Sequence, residues 1–247
     1  DLPIALGIII ADEQLVLPAE MEKTLFLGGL SLDGALQPIT GALVLVDWAK
    51  TVGFERVVVP IDNLAEARLI DGIEIIALDH FNRVVDLILG RLDYVAPKEK
   101  HVPKTDPFAE DWLQIQGQQQ AKRAALVTAA GGHNLLLQGP PGAGKTLLAR
   151  GLRALLPALD YNELIEVVKI HSIASALPRD RAVDAIGRPF RSPHHTTSHV
   201  AIIGGGPHAR PGEISLSHRG VLFLDEMPEF PRSVLETLRQ PLEDGEV

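Results

Sequence analysis

The stretch Gly139-Pro140-Pro141-Gly142-Ala143-Gly144-Lys145-Thr146 decides how this chain of 247 residues is read. It fits G-x-x-x-x-G-K-[ST] and lies between a short apolar run, Asn134 to Gln138, and a helical pattern from Lys145 to Leu156 that Pro157 ends. Strand, glycine-rich turn and helix start in that order make a phosphate loop. Successive backbone N–H groups from Gly142 to Thr146 can wrap phosphate oxygens, with the positive end of the following helix aimed at the same anion. Glycine is needed where a Cβ would block positive φ or the close approach of chain to oxygen. In such a loop Lys145 reaches the β and γ phosphates, and the Thr146 hydroxyl ligates Mg²⁺.

A phosphate loop that hydrolyses its nucleotide also needs a carboxylate for the metal and a group to orient water. Val221-Leu222-Phe223-Leu224-Asp225-Glu226 supplies both: an apolar strand in the same parallel sheet that delivers two acids at its C-terminal end, beside the loop. Asp225 is expected to hold Mg²⁺ and Glu226 to polarise the hydrolytic water. The Asp-Glu pair points to ATP rather than to a switch-type GTPase, so ATP and Mg²⁺ are the expected cofactors and ATPase the expected activity.

Working outward, Gln119 to Ala130 reads as a helix closed by Gly131-Gly132, Asn162 as the N-cap of a helix to about Ala176, and Ser233 as the cap of a helix toward Leu242. Residues 178 to 219 are rich in Pro, Gly, Arg and His and carry no clear period. The chain opens with a strand-like apolar run, Leu2 to Ala11. Beyond it strand-like and helical runs alternate up to Leu89, which points to a compact α/β domain, with Asp33-Gly34 as a hairpin turn between Leu25 to Leu32 and Ala35 to Ile39. The domain expectation is therefore 1–94, a Pro- and Lys-rich linker over 95–110, and a second domain over 111–247.

The net charge is −9, which on its face argues against a nucleic-acid partner. The charge is uneven, however. Residues 1–100 hold 16 acidic and 8 basic side chains, whereas Lys169 to Arg219 holds seven basic residues against three acidic ones and six of the nine histidines. With no cysteine, disulfides and thiolate metal sites are excluded, and the chain suits a reducing cytoplasm. No apolar run approaches the roughly 20 residues a membrane span needs. The opening at Asp1, with neither Met nor a leader, suggests a piece of something longer.

Gly117-Gln118, Gly131 to Leu137, the phosphate loop, Arg188-Pro189-Phe190-Arg191-Ser192-Pro193-His194-His195, Gly204-Gly205-Gly206, Pro211 to Leu216 and Gly220 to Phe230 together resemble the magnesium-chelatase-like AAA+ ATPases, most closely the YifB/ComM branch. Phe26 to Gly34 followed by Pro38-Ile39-Thr40-Gly41-Ala42 is similar to the Lon-protease-type domain, of the ribosomal-S5 second-domain fold, which that branch carries ahead of its ATPase. The resemblance implies an α/β chain in which a Lon-like domain precedes an incomplete P-loop AAA+ core with a parallel sheet. The nucleophilic Ser and its Lys partner in Lon fall near Asp1 and Leu43 here, so the resemblance implies a proteolytically inert domain.

It further implies a homo-oligomeric ring, usually hexameric, and in the ComM group a DNA translocase for branch migration on single-stranded or branched DNA. The 178–219 region corresponds to an insertion expected near the central pore, making Arg188, Arg191, His194, His195, His199 and Arg210 candidate DNA contacts. A remodelling ATPase acting on a protein or metal-chelation partner is the alternative. Against the family pattern, a sensor residue, an arginine finger and a helical lid are expected beyond Val247, so weak hydrolysis is expected of this stretch alone.

Overall fold

A computed structural model describes residues 1–92, 94, 109–177, 186–207, 209–243 and 245. Contacts divide the chain into two units, residues 1–102 with 171–184, and residues 103–170 with 185–247. Most of the expected linker, 95–108, and residues 178–185 of the basic region lie outside the described residues. No helix among the described residues is long and apolar enough to cross a membrane.

The first unit runs α1 (Leu2–Ala11), β1 (Thr24–Phe26), β2 (Gly29–Leu30), β3 (Leu36–Gln37), α2 (Ala42–Val52), β4 (Arg56–Pro60), α3 (Leu64–Ala67), β5 (Glu74–Leu78) and α4 (Phe81–Ile88). Its sheet is parallel in the order β1-β4-β5, with Leu25 opposite Val57 and Val58 opposite Ile76. β4 is buried from Val57 to Pro60, as a strand flanked on both sides in a parallel sheet requires. β2 and β3 form the hairpin that Asp33-Gly34 announced, with Gly34 at φ +89°.

The opening run corrects the sequence reading, because Leu2–Ala11 is a helix and not a strand. A run with no polar residue has no period to read, so length and ends must decide. Pro3 fits the first turn of a helix, and Leu2 and Leu6, one turn apart, are buried in the core while Ile4 and Ile8 stay exposed. The core that they enter includes Leu36, Val58, Ile76, Leu78 and Val84, and Tyr94 closes it with its hydroxyl accepting from Ala77 N–H at 3.0 Å.

The second unit comprises α5 (Ala109–Leu113), α6 (Gln119–Gly131), α7 (Lys145–Leu155), α8 (Tyr161–Ile173, whose last three residues group with the first unit), β6 (Phe190–Arg191), α9 (His199–Ile203), β7 (Gly204–Gly205), β8 (Arg210–Pro211), α10 (Glu213–Leu216), β9 (Val221–Leu222), α11 (Arg232–Thr237) and α12 (Arg239–Glu243). α6 ends as expected on Gly132 at φ +62°. α7 stops at Leu155 because Leu156, preceding Pro157, is held extended at ψ 143°.

Three further expectations are corrected. Asn134 to Gln138 has no sheet partner among the described residues. Leu135 and Leu137 are half-buried and Leu136 is 80% exposed, so the alternation of a strand survives without its ladder. The observed neighbour of β9 is β6, in parallel register Phe190 to Val221 and Arg191 to Leu222. α8 begins at Tyr161, capped by a reciprocal pair in which Glu163 N–H donates to Asp160 Oδ1 at 2.8 Å and Asp160 N–H donates to Glu163 Oε2 at 3.3 Å. That pairing satisfies two orphan amides, which Asn162 inside the first turn cannot do. Finally, Ser233 lies within α11, which Pro231 precedes, and the expected single helix is two short ones broken at Leu238.

Candidate functional site

Gly139 to Thr146 forms the turn that its sequence demands. Gly142 and Gly144 take φ +77° and +83°, and an added Cβ at either would meet nothing within 4 Å, so open space lies over both. Their need for glycine comes from the backbone angle. α7 starts at Lys145 with no side-chain cap and no acid in its first turn, which leaves its leading N–H groups and positive dipole end for an external anion. Lys145 Nζ donates to the carbonyls of Gly139 at 2.9 Å and Pro140 at 3.0 Å, folded onto its own loop. The cation is thus at the loop, and its hydrogen-bond partners among the described residues are neutral acceptors that a phosphate oxygen would outcompete.

The acids at the end of β9 reach the same place. Thr146 Oγ1 donates to Asp225 Oδ2 at 3.4 Å across 79 residues of sequence, which brings the two expected metal ligands together. Hydroxyl and carboxylate are a hard oxygen donor set suited to Mg²⁺, which keeps several waters and takes few protein ligands. Glu226 follows in the left-handed region at φ +52°, its N–H donating to Asp225 Oδ1 at 3.0 Å, and its side chain is 66% exposed. Beside the loop lies a cleft of about 210 Å³ lined by Ile115, Gln118, Leu137, Gly144, Lys145 and Leu148 among others. Gly117-Gln118 contributed only to the resemblance; both take the left-handed backbone, and Gln118 lines this cleft.

The six candidate DNA contacts separate. Arg188 is engaged by the protein itself: Nε donates to Pro157 O at 2.5 Å, Nη1 to Arg219 O at 2.7 Å and Nη2 to Glu163 Oε2 at 2.8 Å, and its side chain is only 13% exposed. Arg191 makes a forked pair with Glu213 at 2.6 and 2.7 Å, which holds its proton above the ordinary arginine range against partial burial. An arginine fork already closed on carboxylate has few donors left for phosphate. His195 sits with Nδ1 3.4 Å from Glu226 Oε2. His194 is exposed, its Nδ1 2.9 Å from Thr196 Oγ1. His199 and Arg210 are exposed, the first starting α9 and the second in the β7–β8 hairpin.

The sequence reading missed the network that fixes these arginines. Glu166 accepts from Arg219 Nε at 2.8 Å and lies 3.0 Å from His218 Nε2; these two bonds lower its pKa to about 2. Arg219 also reaches Glu163 at 3.5 Å, so α8 presents Glu163 and Glu166, three apart on one face, to Arg188, Arg219 and His218. The usable signal was the Asp160-x-x-Glu163 capping pair, which sets the phase of α8.

The family model described as magnesium chelatase, subunit ChlI, matches residues 111–247, and one described as subunit ChlI of Mg-chelatase matches residues 1–63. The chain is 42% identical to the uncharacterized protein YifB of Escherichia coli (strain K12) and 40% identical to the competence protein ComM of Haemophilus influenzae, each match covering all of this chain and 48% of the relative. A shorter match, 43% over 63 residues, a quarter of this chain and 11% of the relative, is to Lon protease 2 of Bacillus subtilis. The chain thus spans about half the length of the longer relatives. The phosphate loop, the acids joined to it and the matched residues lead to one conclusion: the chain belongs to the magnesium-chelatase-like family, in the branch of YifB and ComM.

Proposed function

We propose that this chain carries the nucleotide site of an ATP-driven, ring-forming AAA+ motor that moves DNA, single-stranded or branched. The observation that carries the nucleotide half of this reading is the hydrogen bond from Thr146 to Asp225, which joins the phosphate loop to the acidic strand exit. When bound, ATP with Mg²⁺ supplies the scissile γ-phosphoryl and the charge to be balanced. Lys145 would exchange its two loop carbonyls for phosphate oxygen, Thr146 and Asp225 would hold the metal, and Glu226 would polarise the attacking water. The amides of Gly142 to Thr146 orient the phosphates and add no mobile charge.

The DNA half rests on the name of ComM as a competence protein and on the exposed His199 and Arg210 around the β7–β8 hairpin. The alternative, remodelling of a protein or metal-chelation partner, is favoured by the match to the chelatase subunit and by the internal pairing of Arg188 and Arg191. Residues 1–94 are proposed as a Lon-like domain of the S5 second-domain fold without proteolytic activity, consistent with full burial of Leu43 where a Lys would be needed. A hexameric ring and a cytoplasmic site of action are part of the same proposal. The test is ATP turnover by the intact protein with and without single-stranded, duplex and branched DNA. Stimulation by DNA that Glu226→Gln slows at least tenfold supports the motor; turnover indifferent to every DNA, with no DNA binding at low salt, refutes the DNA half.

A further inference from the structure

We propose that the end of α8 is latched to the first unit by Glu66, and that this latch makes the first unit respond to nucleotide; the second clause rests on the ATP site assigned above. The chain leaves the second unit after Ile170 and folds with the first from His171 onward, so α8 is shared by both. Glu66 receives it. This residue is only 6% exposed, and three donors from separate segments converge on its carboxylate: Asn63 Nδ2 at 2.7 Å, the Leu43 amide at 3.4 Å and Ser172 Oγ at 2.5 Å. So buried a carboxylate is tolerated because its oxygens are hydrogen-bonded and one of them accepts from the first turn of α2, at the positive end of that helix.

The docked segment is shaped for that place. α8 closes in a left-handed turn in which Ala176 N–H donates to His171 O at 2.8 Å and Ser175 N–H to Ser172 O at 3.1 Å, with Ser175 at φ +55°. Glycine is the usual residue at such a position, because a side chain there is strained. The serine that replaces it has its hydroxyl 3.2 Å from Thr40 Oγ1. Ile173, between the two serines, lies against Gly41, where an added Cβ would meet its Cγ1 at 3.7 Å. Thr40 and Gly41 belong to the Pro38 to Ala42 motif, to which the proposed function gives no task; seating α8 is that task. The other half of α8 is bound to the strands of the nucleotide site. Glu163 accepts from Arg188, two residues before β6, and Glu166 from Arg219, two before β9, whose exit carries Asp225. A helix of 13 residues is a rigid element about 20 Å long, and rigid elements held at both ends carry coupling. Nucleotide that orders β9 through Thr146 and Asp225 therefore holds α8, and with it the latch, more firmly.

Amide hydrogen exchange of residues 39–43 reads the latch directly, since the Ile39 and Leu43 amides donate to Asn63 and Glu66. In the unmodified chain, saturating Mg²⁺ and a non-hydrolysable ATP analogue should slow that exchange about fivefold or more, the low end of ordinary coupling between sites. The paired amides of β4 and β5 should change by less than about twofold, which separates the latch from general stabilisation. In Ser172→Ala, exchange of residues 39–43 should rise without nucleotide, and its response to nucleotide should fall below about twofold. By linkage the Kd of the analogue then rises by no more than the factor lost. Ser175→Gly, which relieves the left-handed strain and so keeps the end of α8 closed, should lose at least half of the response. Residues 39–43 that do not respond although the analogue binds, or that slow no more than β4 and β5, would overturn the proposal. So would a full response in Ser172→Ala or, should β4 and β5 lose protection in that variant, a full response in Ser175→Gly. Failure of the analogue to bind the unmodified chain would instead overturn the ATP site, and this nucleotide response with it.

Discussion

Arg188→Ala separates scaffolding from DNA contact most sharply. The substitution removes a charged donor from Glu163 and leaves the carbonyls of Pro157 and Arg219 without theirs. A hydrogen bond to a charged group contributes about 1.5–3 kcal/mol, and the two carbonyls add to the loss where water does not replace the guanidinium. Because the Arg188 side chain is only 13% exposed and Glu163 retains Arg219 at 3.5 Å, the expected cost is about 2–4 kcal/mol rather than the small value of a surface pair. Urea unfolding of the chain measures it directly. Arg188→Lys, which keeps the charge but not the fork, should recover less than half of the loss. The paired measurement is the salt dependence of DNA binding. A residue on phosphate carries about 0.9 of the slope of log K against log salt, so Arg188→Ala should leave that slope unchanged. A stability loss below about 0.5 kcal/mol together with a slope smaller by about 0.9 would refute the reasoning and restore Arg188 to the DNA surface.

Other outcomes follow from the same geometry. Arg210→Ala, in the exposed hairpin, should leave urea stability within about 0.5 kcal/mol of the unmodified chain and reduce the salt slope of DNA binding, a result that unchanged binding would contradict. Gly144→Ala meets no atom but forces alanine to φ +83°, so the loop should lose about 1–2 kcal/mol, read as a fall of roughly tenfold in nucleotide affinity. Glu166, held at about 2 by Arg219 and His218, stabilises the folded state above the ordinary glutamate pKa and loses that contribution as pH falls toward 2. The unfolding free energies of the unmodified chain and of Glu166→Gln should therefore converge progressively between about pH 5 and pH 2. Parallel curves would show that Glu166 is not the titrating group.

The parts of the fold that were legible from sequence are those written in local chemistry. Gly132 at a helix end, Asp33-Gly34 in a hairpin, Pro157 after a helix and the glycines of the phosphate loop each act through backbone angles that one or two residues control. Leu2–Ala11 failed for the opposite reason, since an unbroken apolar run carries no period and its burial is decided by the core it meets. Asn134 to Gln138 kept its alternation without a ladder, because a strand requires a partner that its own residues cannot specify. At the site, the meeting of Thr146 with Asp225 could be anticipated because the glycine-rich turn and the acidic strand exit are each written in a short local motif. The internal pairing of Arg188 and Arg191 was not legible, since the carboxylates that close on them, Glu163 and Glu213, lie more than twenty residues away in sequence. The contact of His195 with Glu226 depends on the pairing of two strands and could not be seen in either segment alone.

The central claim is that the phosphate loop and Asp225 form one Mg²⁺–ATP site. Its most direct test is titration of the chain with a fluorescent ATP analogue, with and without Mg²⁺, in the unmodified protein and in Lys145→Ala and Asp225→Asn. The account predicts saturable binding that Mg²⁺ strengthens, at least tenfold weaker in Lys145→Ala, and insensitive to Mg²⁺ in Asp225→Asn. Binding that neither substitution changes, or none at all in the unmodified chain, would contradict it.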